Sequence, residues 1–133
     1  MTKRNVVKLI DTTPIVLSII GISSHENDYR LTWSINEQLK LSFVQDKSIT
    51  NGDGQEFSCF LCKDDKRRLQ LISNRCENGF LLEKHKNIDF ILKINTELNE
   101  TELTEWLRDL RKVPLVSAAF PLQINKQILK LLG

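Results

Sequence analysis

Histidine is nearly absent: His25 and His85 are the only two in 133 residues. No H-E-x-x-H segment occurs, which excludes that helical zinc-hydrolase pattern, and no D-x-D pair is present. Five glycines and three prolines leave no Gly-rich phosphate loop. Asn51-Gly52-Asp53-Gly54 has neither the following Lys nor the helix start such a loop requires. Three cysteines, an odd number, imply no disulfide framework and point to a reducing cytoplasm. Neither sign of charge dominates, since 19 basic and 17 acidic residues give +2, and no basic stripe marks a polyanion binder. The one dense basic group, Lys66-Arg67-Arg68, stands beside Asp64 and Asp65 and reads as a solvated turn. Long apolar runs are also missing. Ile15 to Ile22 is far short of the roughly 20 residues a membrane span needs. Lys3, Arg4 and Lys8 precede it as in a secretory signal, but Asp11 and Pro14 interrupt the approach, so no cleaved signal and no membrane role is expected.

What the chain does have is patterning. Its 41% hydrophobic and 27% charged content is that of a globular domain. One α+β domain is expected over residues 1–133, frayed over 1–13 and closing with a short helix over 123–133. The best-defined stretch is Ile88 to Leu122. Ile88, Phe90, Leu92 and Ile94 alternate, which predicts a strand. Asn99 stands three residues before Glu102, a capping-box spacing. Leu103, Trp106, Leu107 and Leu110 then form one helical stripe, with acidic residues early and basic residues late. Pro114 ends that helix, and Leu115 to Leu122 reads as a strand returning parallel to the first by a right-handed crossover.

Upstream, Ile15 to Ile22 predicts a buried strand. Ser23 and Glu26 predict a capped helix from near Ser24 to Leu39, with Leu31, Ile35 and Leu39 in one core row and Tyr29 and Trp33 in a second. Strands are expected over Leu41 to Gln45, Glu56 to Cys62 and Arg68 to Arg75. Asn78-Gly79 predicts a type I′ hairpin, with Phe80 to Glu83 returning. The expected architecture is a mostly antiparallel sheet of five to seven strands, with two long helices packed on one face and a C-terminal β-α-β crossover.

Few residues form chemical constellations. Cys59-x-x-Cys62 with Cys76 and His85 can be written as a zinc set, but in a strand Cys59 and Cys62 point to opposite faces. Cys76 and His85 lie on two arms of one hairpin, with nothing patterned to orient them as a nucleophile pair. Asn51, Asp53 and Glu56 form an acidic turn of a kind common without a cation. No catalytic residue, metal site or cofactor is therefore assigned. Asp89, His85, Arg30 and Asn74 are the candidate binding residues, with Lys93 and Arg108 as further polar candidates and Glu83 as a partner to Asp89 and His85 in an enzyme reading.

Gly21-Ile22-Ser23, Tyr29-Arg30-Leu31 with Trp33, Leu71-Ile72-Ser73-Asn74, and Ile88-Asp89-Phe90 with Leu92-Lys93-Ile94 are similar, in order, to segments of an uncharacterised bacterial family. That family is named for an I-P-E-x-x-x-V-D-Y motif. Leu82, Ile88, Asp89 and Phe90 stand at its I, V, D and Y, while Glu83 replaces its Pro and Lys84 its Glu. The resemblance implies a bacterial cytoplasmic setting and no particular reaction. The function expected is a non-catalytic interaction or regulatory module acting through a protein partner or self-association. The alternatives are a small-molecule or RNA binder, or an enzyme whose site residues are scattered in sequence.

Overall fold

The computed structural model describes residues 17–64 and 67–133. The expected frayed start over 1–13, the opening of the strand at Ile15 and part of the basic turn at Lys66 lie outside the described residues. The chain is α+β. Its elements are β1 (Ser18–Ser23), α1 (Asp28–Leu39), β2 (Val44–Thr50), β3 (Glu56–Lys63), β4 (Arg68–Ser73), β5 (Arg75–Cys76), β6 (Gly79–Phe80), β7 (Phe90–Ile94), α2 (Glu100–Arg111), β8 (Ala118–Leu122) and α3 (Lys126–Leu132). Six strands form one sheet in the order β2-β3-β4-β7-β1-β8, and every pairing is antiparallel. β1 lies between β7 and β8, so the strands flanking α2 do not touch.

Alternation along the strands divides the core in two. Ile20, Ile22, Phe60, Leu69, Leu71, Phe90 and Leu92 share one buried cluster with Leu31 and Ile35 of α1 and Leu107 and Leu110 of α2. Ile19, Phe57, Ile72 and Ile91 face the other way. That second face is covered by Leu81, Leu82 and Ile88 from the loop after β6, and by Ile128 and Leu132 of α3. The apolar tail therefore docks on its own sheet. Each fully buried Ile, Leu or Phe contributes about 1.5–3 kcal/mol relative to exposure, so both faces matter to stability.

Several local expectations are corrected. The first helix starts at Asp28, capped by Asn27, whose Oδ1 accepts from the Arg30 N–H at 2.9 Å. The Ser23 hydroxyl is spent on the Asn87 carbonyl at 2.9 Å, so it is not free to cap. Tyr29 and Trp33 are exposed rather than in the core. β2 begins at Val44, not Leu41, because Asn36 holds the Phe43 main chain at both ends, at 2.8 and 3.1 Å, and turns Phe43 into the core. The Asn78-Gly79 hairpin forms as a separate two-stranded ladder, but Cys76 pairs with Gly79, so Glu77 and Asn78 are its central residues. Neither Glu77 nor Asn78 has a positive φ, which rules out the type I′ turn. Phe80 to Glu83 gives only the Gly79–Phe80 strand, since Leu81 and Leu82 turn inward to cover the sheet. The last strand is confined to Ala118–Leu122. In contrast, the Asn99–Glu102 capping box is complete, with bonds of 2.8 and 3.0 Å.

Both sheet edges carry features that disfavour a further strand. β2 carries a register shift between Asp46 and Ile49 and the charges Asp46 and Lys47. β8 carries Pro121, and the Arg111 guanidinium covers its Ala119 carbonyl with bonds of 3.0 and 2.7 Å. Bulges, charge, proline and capped carbonyls are the devices that block edge pairing.

Candidate functional site

Three of the four candidate binding residues meet at one corner, Asn74 and Asp89 through their side chains and His85 through its main chain. Asn74 follows β4 and is fully buried. Its side-chain N–H groups donate to the carbonyls of His85 at 3.0 Å and Ile88 at 2.9 Å. Its Oδ1 accepts from the Leu82 N–H at 2.7 Å. Its main chain bonds the Asp89 carbonyl at 2.9 Å and the Leu81 N–H at 2.8 Å. Asp89 stands just before β7. Its Oδ2 accepts from the Ser24 N–H at 2.8 Å, and its Oδ1 pairs with the Arg75 guanidinium at 2.7 Å. The corner thus ties the end of β1 to β4, to the hairpin and to the 81–89 loop. Gly21 makes room for it, since a Cβ there would lie 2.8 Å from Ile88 Cδ1.

An Asn side chain has two donors and one acceptor oxygen, and all three are engaged. Both Asp89 oxygens are engaged as well. Among the described residues His85 joins the corner through its main chain only. Glu83 and Lys84 are exposed beside it. The corner is a clamp whose polar capacity is used internally, which leaves little for a ligand or substrate.

The remaining candidates are elsewhere. Arg108 is exposed on α2, 3.7 Å from Asp109. Lys93 is half-buried on the second sheet face. Burial first, and the neighbouring Arg68 charge second, lower its affinity for a proton. Cys59 and Cys62 fall in opposite clusters across β3, and burial pushes the Cys59 thiol up, away from the reactive thiolate. Asn51 Oδ1 already accepts from the Asp53 and Gln55 N–H groups, each at 3.0 Å, an Asx-turn bond set that occupies it. Among the described residues no cluster of His, Cys, Asp and Glu is placed to hold a metal ion, and no helix is long and apolar enough to cross a membrane.

Arg30 lies on a different surface, and that surface is unusual. Helix α1 buries Thr32 and Ser34, at 5% and 6% exposure, yet exposes Tyr29 at 61% and Trp33 at 66%. The Thr32 hydroxyl is buried with no hydrogen-bond partner among the described residues. Tyr29 is held in place by an edge-on contact with Phe60, ring centroids 5.7 Å apart, and by a 3.2 Å bond from its hydroxyl to Gln45. Trp33, Arg30 and Ser34 together with Pro114 and Leu115 line an open depression of about 450 Å³ whose wall is chiefly apolar. Pro114 and Leu115 reach it because Val113 and Val116 on either side are buried in the core. Arg30 pairs with Glu26 at 3.0 Å on its rim.

The sequence pattern puts Arg30 among the candidate binding residues and Tyr29 and Trp33 in the core. The signal was present. At 100° per residue Trp33 falls roughly 160° from the centre of the Leu31, Ile35 and Leu39 row, on the far side of the helix.

A larger cleft of about 600 Å³ separates the C-terminal end of α1 from α2. Leu39, Leu41 and Trp106 line it, with Glu105 and Asp109 set against Lys40 and Lys112. The Arg67 guanidinium lies over the Trp106 ring at 5.6 Å and is tied to Asp64 at 3.2 Å. Opposed charges cancel along this cleft, so it favours no ligand of one sign. No protein-family model matches the chain, and no curated protein sequence matches it.

Proposed function

We propose that this chain is a non-catalytic interaction module whose docking face is formed by Tyr29, Trp33, Pro114 and Leu115. The observation that carries the reading is the inversion on α1, where two large aromatic side chains face solvent while a serine and a threonine are buried. Trp, Tyr and Arg are the residue types that dominate binding energy at protein interfaces. Each aromatic buries about 150–250 Å² when covered, which is the main source of affinity at such a face. The irregular, charged and proline-bearing sheet edges disfavour strand addition, and the docked α3 leaves the apolar tail covered.

The electrostatics of the face favour a protein over RNA. Arg30 shares the face with Glu26 and with Glu37, exposed on the same helix, so the face has no net positive charge of the kind that phosphate contacts require. The internal saturation of the Asp89–Asn74 corner argues against the enzyme reading. In this proposal Asp89, the aspartate that aligns with the I-P-E-x-x-x-V-D-Y motif, is a structural residue in this chain. The free cysteines support a cytoplasmic setting.

The test is photo-crosslinking in the native host, with a photoreactive residue at position 33 and a control at exposed Lys130 on α3. Adducts of defined mass from position 33 and none from position 130 are expected. No adduct from position 33 rejects the docking face.

A further inference from the structure

The same face carries a charge pattern that matches itself under a two-fold axis. Arg30, Trp33 and Glu37 fall within roughly 60° of one another on the outer side of α1. Arg30 and Glu37 lie on either side of Trp33, about 10 Å apart along the axis. All three are exposed, and among the described residues Glu37 has no ion pair. We propose that the occupant of the docking face is a second copy of this chain, packed α1 against α1 in antiparallel fashion. The proposal rests on the docking-face reading and names its partner.

The geometry follows from the spacing. An axis passing between Trp33 and Ser34 brings Arg30 of one copy opposite Glu37 of the other, twice. The two Trp33 rings meet near the axis and lie over the depression lined by Pro114 and Leu115. A two-fold interface is self-complementary by construction, so one patch must supply both charges, as this one does. A parallel arrangement of the helices sets Arg30 against Arg30 and Glu37 against Glu37, which opposes it. Arg30 keeps its 3.0 Å contact with Glu26 within the chain, so the planar guanidinium bridges two carboxylates in the pair. The apolar centre is small against the roughly 800 Å² per partner of a standard interface, which predicts a weak, reversible dimer.

Sedimentation equilibrium of the full chain up to about 1 mM, the weak end of measurable affinity, tests this. The wild type is expected to rise from the 15.4 kDa chain mass toward twice that value. Trp33→Ala is expected to hold it at the single-chain mass. Arg30→Glu and Glu37→Arg each weaken association about tenfold or more, and the double variant restores it to within about threefold, the signature of a direct charge pair. Both side chains are exposed, so these changes leave the core intact, and circular dichroism confirms the fold. A wild-type chain that stays at single-chain mass, or a double variant that fails to regain affinity, overturns the two-fold pairing. A heterologous adduct at position 33 from a monomeric chain removes the second copy and keeps the docking face. The absence of any adduct removes both.

Discussion

Asn74 joins three other backbone positions through its side chain alone, contacting Leu82, His85 and Ile88 from a fully buried site. Asn74→Ala leaves one N–H and two carbonyls stripped of their partner. With about 1–3 kcal/mol for each buried group left unsatisfied, tempered by relaxation, we expect a loss of about 3 kcal/mol in urea unfolding. Arg75 is half exposed and Asp89, largely buried, keeps its Ser24 N–H bond, so Arg75→Ala is expected to cost less than Asn74→Ala, about 1 kcal/mol. Equal losses contradict the clamp account. The sequence marks Asn74 and Asp89 as candidate binding residues, and the structure brings them together. It could not show what they do, because the partners of Asn74 lie 8, 11 and 14 residues away along a loop with no regular period. A buried polar hub and a ligand-binding polar residue look alike until the partners are placed.

Elements whose signals are local were legible, and those whose ends are set by distant partners were not. The α2 cap depends on Asn99 and Glu102 alone, so spacing revealed it. The α1 start was misplaced because Ser23 and Ser24 are drawn off to Asn87 and Asp89, more than sixty residues away. The far end of α1 offers a test. Lys40 sits there at φ 56°, the only non-glycine residue with positive φ among the described residues, in a position that glycine commonly fills. Its side chain is exposed. Lys40→Gly relieves the left-handed strain and is expected to stabilise the chain by about 1 kcal/mol in urea unfolding. A loss of stability rejects the strain account and assigns Lys40 a role at the neighbouring cleft.

At the scale of the whole molecule, the antiparallel sheet and the α+β class follow from strand alternation and short turns. Strand order does not. Nothing in Ser18–Ser23 announces that it inserts between β7 and β8, because pairing is decided by which apolar faces meet after folding. The cover on the second sheet face, by the 81–89 loop and α3, was hidden for the same reason. The functional reading depends on one consequence of this packing. Trp33 is exposed and belongs to neither core cluster, and the docking-face proposal requires that the core be complete without it. Urea unfolding of Trp33→Ala, followed by the fluorescence of Trp106, measures this directly. The account predicts a stability within about 0.5 kcal/mol of wild type, as for a surface residue. A loss near the 3–5 kcal/mol of a truncated core tryptophan contradicts it, and removes the observation on which the docking face stands.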